Sequence, residues 1–231
     1  GFATNSGFLG TNKTSKAYKG FQQGRYWDLE NKDVERVRKQ VSELETVTAT
    51  LAKWGINAIY NENKISGTLK GLYPEYQKIE EPNIVFGRFI NDIDLKERRK
   101  VIVLHTKTAE ILFGKSKTEP IGKFVNAGGV SYQVVGLYTD PGDQGSSEAY
   151  IPFSTLQVIY NKGDKLNNLT FTTKGLTTIE TNEAFEAAYR KVMGAKHRFD
   201  PSDNSALWIW NRFTNYLQSQ NAMGILRTAI W

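Results

Sequence analysis

Four consecutive apolar residues, Val101-Ile102-Val103-Leu104, constrain this chain more than any other segment. Successive side chains of a strand point to opposite faces, so a run without a polar residue must be covered on both sides. The chain therefore has a central strand, and the segments around it must supply the covering layers. Thr106–Phe113 follows with Ala109, Leu112 and Phe113 on one helical face and Gly114 as its stop. Gly128-Gly129 then separates two apolar-alternating runs, Pro120–Ala127 and Val130–Tyr138, as the turn of a hairpin. Asp140–Ser147 reads as an exposed loop, and Glu148–Phe153 as a further strand closed by Pro152.

On either side the pattern is mixed. Val34, Val37 and Val41 share one face of a helix capped by Asp28. Val47–Leu51 reads as a strand, Gly55–Ala58 interrupts it, and Ile59–Leu72 reads as a hairpin. Ser154 caps a short helix, Leu169–Thr173 is a strand, and Thr178–Met193 is a long amphipathic helix closed by Gly194. From Asn204 the pattern is helical to the end, with Trp210, Phe213 and Leu217 as an apolar stripe. Residues 1–24, rich in Gly, Asn, Ser, Thr and Lys, read as irregular with some helix near Lys16–Phe21. The class is α+β.

The chemistry-bearing residues are sparse. There is no cysteine, which excludes disulfides and thiolate chemistry. The two histidines, His105 and His197, lack ligand spacing. Gly122-Lys123-Phe124 has no hydroxyl after the lysine and leads into a strand, so it is not a phosphate loop. The acidic pairs Glu80-Glu81 and Asp92/Asp94 lie in polar segments. No catalytic, metal or cofactor residue is assigned. Five of the six net positive charges fall in residues 1–24 and 204–231, at the two ends of the chain, which argues against a nucleic-acid partner and suits either proximity to an anionic lipid surface or ordinary scatter of lysines in flexible tails. Trp208 and Trp210 suit either an interfacial belt or packing. No run of 18 apolar residues occurs, yet Gly224–Trp231 grows more apolar, as expected of a chain approaching a membrane.

One ordered set of motifs is more specific than any of its parts. Gly87-Arg88-Phe89 precedes the Val101–Leu104 strand. Leu112-Phe113-Gly114, Pro120-Ile121-Gly122-Lys123, Gln133-Val134-Val135-Gly136-Leu137 and Tyr150-Ile151-Pro152-Phe153 follow. This order resembles the MacB-like periplasmic core domain of ABC transporter permeases. His105, where a small residue is common, and the Gly/Asn/Thr-rich N-terminal stretch depart from it. The resemblance implies a Porter-like lobe of β-α-β units with an inserted Sabre-like lobe. Here these are residues 25–73 with 161–203, and 74–160, flanked by an N-terminal stalk or flexible segment 1–24 and a C-terminal stalk helix 204–231 leading to a transmembrane helix. It makes Gly87, Arg88, Phe89, Pro120, Gly122, Gly136 and Pro152 the family-motif residues, and Trp210, Phe213 and Leu217 the stalk or partner-packing residues.

The implied function is mechanical. The domain stands on the periplasmic side of the bacterial inner membrane and moves substrate or lipoprotein as motion driven by ATP reaches it. ATP is bound only by a separate cytoplasmic domain or subunit. The implied partners are a second permease subunit, a periplasmic adaptor or lipoprotein, and the membrane through flanking transmembrane helices. The alternative is an exported ligand- or peptide-binding module with no role in transport.

Overall fold

The computed structural model describes residues 5–116, 119–140 and 147–228. In chain order the first elements are β1 (Ser6–Thr11), β2 (Leu29–Glu30), α1 (Asn31–Gln40), β3 (Leu44–Tyr60), β4 (Asn63–Leu72), α2 (Tyr76–Glu80), β5 (Asn83–Gly87), α3 (Asp92–Lys96), β6 (Val101–His105) and α4 (Thr106–Phe113). Then come β7 (Phe124–Ala127), β8 (Val130–Thr139), β9 (Glu148–Pro152), α5 (Phe153–Ile159), β10 (Lys165–Leu166), β11 (Asn168–Thr173), α6 (Ile179–His197), β12 (Leu207–Asn211) and α7 (Arg212–Thr228). The fold is α+β. Most of the loop expected over Asp140–Ser147 and the last residues of the apolar run Gly224–Trp231 lie outside the described residues.

The chain forms two compact units. One is Ala49–Leu166; the other combines the residues before it with Asn167 onwards. In the first unit β6 lies between β8, parallel to it, and β9, antiparallel to it, and all five of its residues are buried. β9 runs parallel to β4, β4 forms a hairpin with β3, β5 closes the edge against β8, and β7 pairs with both β8 and β3. Helices α4 and α5 pack on β4. The core includes Leu72, Tyr76, Phe89, Ile90, Val101, Val103, Tyr138 and Tyr150. Each side chain of this size contributes on the order of 1.5–3 kcal/mol when fully buried.

These pairings correct the lobe boundaries drawn from sequence. β4 lies before residue 74, yet it pairs along Thr68–Leu72 with Glu148–Pro152. Residues 49–73 therefore belong with 74–160, because a strand joins the sheet that satisfies its backbone, not the segment nearest in sequence. Gly55, expected to interrupt, is a bulge: φ is +69° and the β3/β4 register shifts between Lys53 and Ile56. Pro120–Ile121 does not extend the β7 strand, which begins at Phe124; Lys123 N–H instead closes a turn onto the Pro120 carbonyl at 3.1 Å. At Gly128 and Gly129 φ is +60° and +83°, the left-handed pair that a two-residue hairpin turn requires.

In the second unit α6 is capped by Thr178, whose hydroxyl accepts from Thr181 N–H at 3.1 Å. Phe185 and Tyr189 of α6 meet Phe171 of β11, with ring centroids 5.4 and 5.8 Å away. The helix does not stop at Gly194. It runs to His197, and a Cβ at Gly194 would lie 2.7 Å from the Phe199 carbonyl oxygen, so this glycine admits the returning chain. Glu30, not Asp28, caps α1, in a reciprocal box with Asp33.

Candidate functional site

Residues 5–24, the described part of the N-terminal segment, are not an irregular tail. β1 is the middle strand of three, antiparallel to β11 on one side and to β12 on the other. It reads as loop because its glycines carry no pattern, and their smallness is what the pairing needs. A Cβ on Gly7 would sit 2.4 Å from the Trp210 carbonyl oxygen, and one on Gly10 would sit 2.3 Å from the Trp208 ring. Between them Phe8 stacks on Trp210 at 5.1 Å and meets Trp208 edge-on at 5.5 Å. No helix forms over Lys16–Phe21. The segment folds back, Thr14 and Arg25 pairing through Thr14 N–H to the Arg25 carbonyl at 2.9 Å. Asp203 holds it from the other end, accepting from Ser15 N–H at 2.8 Å, Ser15 hydroxyl at 2.6 Å and Lys16 N–H at 2.9 Å. Burial works to raise the Asp203 carboxyl, but the bonds from Ser15, Lys16 and Ser205 outweigh it and hold it below its ordinary value.

Gly7 faces Asn211 across the β1/β12 pair, and Thr11 faces Leu207. The start of the incoming strand therefore lies beside the end of the outgoing one. From that point α7 departs without an intervening residue. At ~1.5 Å per residue, the 17 residues of α7 extend about 25 Å. This corrects the expected stripe. Trp210 belongs to a strand that stacks on Phe8, whereas Phe213 and Leu217 lie on the helix, both half-buried. Alternating Trp208, Trp210 and Leu207, Ile209 is a strand period that the helical reading of Asn204 onwards overrode.

Three polar residues, Asn211, Asn182 and Arg212, fix the junction. Asn211 caps α7, its Oδ1 accepting from Phe213 N–H at 3.0 Å and Thr214 N–H at 3.2 Å. Its Nδ2 donates to Asn182 Oδ1 at 2.9 Å, and Asn182 Nδ2 donates to the Thr178 carbonyl at 2.8 Å. Arg212 donates to the Ser6 hydroxyl and lies 4.9 Å over the Trp210 ring. These asparagines were not singled out from sequence; a strand-ending Asn at the start of an amphipathic helix was the available signal.

The family-motif residues all lie in the other unit, where they shape its sheet. Gly87 and Gly136 face each other across β5 and β8; a Cβ on Gly87 would lie 2.1 Å from the Val135 carbonyl oxygen of β8, and one on Gly136 2.0 Å from the carbonyl oxygen of Arg88, the residue after β5. Arg88 grips the fully buried Asp94 carboxylate with two bonds of 2.6 and 3.1 Å, and Phe89 meets Tyr150 edge-on at 6.0 Å. Pro120 is buried beside the turn at Gly122, whose φ is +87°, and Pro152 ends β9 and caps α5. Both histidines are engaged: His105 bonds Asp140 at 2.9 Å and accepts from Lys107 N–H, and His197 bonds Asp33 at 2.9 Å. Among the described residues, no group of three His, Asp or Glu side chains is placed to hold a metal ion.

An α+β domain in two units, with its incoming and outgoing strands side by side and a helix leaving that junction, is the class defined here. The chain belongs to the MacB-like periplasmic core domain family, whose model matches residues 4–188. A relative in Bordetella avium, the macrolide export ATP-binding/permease protein MacB, is 27% identical over 175 residues, which is 71% of this chain and 25% of the relative. The chain spans a quarter or less of the length of the curated MacB relatives from Bdellovibrio bacteriovorus, Bordetella avium and Aggregatibacter actinomycetemcomitans. Among solved structures, the periplasmic region of MacB from Actinobacillus actinomycetemcomitans superposes with a TM-score of 0.72 at 20% identity, covering 95% of this chain and 94% of that one. The extracellular domain of the noncanonic ABC-type transporter YknZ from Gram-positive bacteria gives 0.69 at 23% identity, covering 90% and 100%. These two show the same fold, and with it the Porter-like and Sabre-like α+β architecture.

Proposed function

We propose that the chain is the extracytoplasmic domain of a MacB-type ABC permease and passes ATP-driven motion to the periplasmic side through α7. The observation that carries this is the β1/β12 pair, which sets the incoming and outgoing strands beside each other and starts α7 at that point. A helix leaving a strand without a linker transfers displacement with little slack, as a mechanical coupling requires. In this reading the domain is not catalytic. ATP is bound by a cytoplasmic part, a second permease subunit completes the transporter, and flanking transmembrane helices anchor it. An adaptor or a lipoprotein receives the motion. The Bordetella avium relative is named for macrolide export, which makes a macrolide the first cargo to assay.

The test uses the whole permease with its ATPase. Tyr216, on α7 and 59% exposed, is replaced by cysteine and labelled in cells with a membrane-impermeant maleimide. The expected result is labelling from the periplasmic side, in membranes that resist carbonate extraction, at a rate that changes with nucleotide. Leu217→Pro, which breaks α7, should abolish that change and leave ATP turnover in place. A freely soluble product, or labelling indifferent to nucleotide, would replace this reading with that of an exported binding module.

A further inference from the structure

We infer that the buried amide pair Asn182–Asn211 is the positioning element that sets the direction of α7 on α6. This rests on the transmission reading above. Asn182 is 0% and Asn211 5% exposed, so neither amide has water as an alternative partner. Their hydrogen bonds form one directed chain. Two N–H groups of α7 occupy Asn211 Oδ1, which leaves its Nδ2 to donate to Asn182 Oδ1; Asn182 Nδ2 must then donate to the Thr178 carbonyl. Turning either amide over would bring two oxygens or two N–H groups face to face. A pair of apolar residues would pack at many angles, whereas this chain is satisfied in one. Its location matters as much as its geometry. β12 ends at Asn211 and α7 begins at Arg212, so the cap is the point where the outgoing chain changes direction. Thr178 is itself the N-cap of α6. The first turn of α7 is thereby registered on the first turn of α6, and α6 carries Phe185 and Tyr189 into the core of this unit. Displacement of α7 reaches that core as a rigid movement.

Two substitutions separate positioning from capping. Asn211→Asp keeps the oxygen that caps α7 and removes the donor to Asn182. Asn182→Asp keeps the acceptor for Asn211, and its buried carboxyl, protonated beside the Thr178 carbonyl, donates there in place of Nδ2. The full permease with its ATPase, in nanodiscs, carries spin labels at Glu183→Cys on α6 and Tyr216→Cys on α7, both exposed positions. The parent and Asn182→Asp should give one narrow distance distribution. Asn211→Asp should add a broad component, because losing one buried hydrogen bond shifts a docking equilibrium about tenfold. ATP turnover should stay within about twofold in all three, since these residues touch no nucleotide, while nucleotide-dependent labelling at Tyr216→Cys falls by about tenfold in Asn211→Asp alone. Should Asn211→Asp fail to fold, Asn182→Ala, which removes the acceptor from the other side, carries the same expectation. A narrow distribution in Asn211→Asp, or equal loss in Asn182→Asp, overturns the inference. A parent permease that shows no nucleotide response at Tyr216 overturns the transmission reading instead, and the distance distributions still decide whether the pair sets the direction of α7.

Discussion

Gly136→Ala isolates the cost of a close strand approach from the cost of backbone strain. Gly136 does not have a positive φ, so alanine meets no conformational penalty there. Its new Cβ would nevertheless lie 2.0 Å from the Arg88 carbonyl oxygen and 3.0 Å from that carbonyl's carbon. Both are backbone atoms that no side-chain rotation can remove. Relief requires β5 to move away from β8 by about 1 Å, and overpacking of this kind costs about 1–3 kcal/mol. The shift also loosens the Arg88 N–H bond to the Val135 carbonyl, now 2.9 Å, which adds roughly 1 kcal/mol. The sum, about 2–4 kcal/mol, moves a urea midpoint down by about 1–2 M at an m-value near 2 kcal/mol/M. Gly129→Ala is the complementary control. It has a φ of +83° but open space around the added carbon, so it costs only about 1–2 kcal/mol of left-handed strain. The assay is urea unfolding of the domain followed by far-UV circular dichroism, with the m-values compared. If Gly136→Ala is no more destabilising than Gly129→Ala, the close approach of β5 and β8 does not govern this position.

Further outcomes follow from other contacts. Arg88→Ala leaves the buried Asp94 carboxylate with Asn91 N–H at 3.0 Å and Arg99 at 3.8 Å, and should cost about 2 kcal/mol by urea unfolding. Gly10→Ala drives a carbon into the Trp208 ring and should cost about 1–3 kcal/mol, accompanied by a change in tryptophan fluorescence. For Asp33, burial pushes the carboxyl up, but bonds from His197 and the Glu30 N–H, with the charges of His197 and Arg36, outweigh it and leave it below 3.8. A carboxyl depressed by folding stabilises the fold fully above its ordinary value and loses that contribution as pH falls through the lower, folded one. The parent's urea midpoint should therefore fall more steeply below about pH 4 than that of Asp33→Asn.

Local chemistry made part of this protein legible without a structure. Val101–Leu104 has to be a doubly covered strand because nothing in it tolerates water, and β6 is buried at every residue. Thr106–Phe113 is a helix over those same residues, since its apolar spacing and Gly114 are local signals, and Gly128-Gly129 turns the hairpin for the same reason. The ordered motifs from Gly87 to Phe153 were enough to indicate the family. What the sequence could not disclose are the pairings between distant segments. β1 joins Asn168–Thr172 and Leu207–Asn211, partners that come more than 150 residues later, and its glycines leave no period to read. Trp210 has the same side chain in a strand or a helix, and only its pairing with Phe8 decides between them. β4 chooses Glu148–Pro152 because that edge satisfies its backbone, which moves a unit boundary by 25 residues, from 73/74 to 48/49. Asn182 and Asn211 stand 29 positions apart and become one hydrogen-bonded chain only when α6 and β12 bring them together, because a buried amide takes its role from whatever partner the tertiary fold sets within 3 Å.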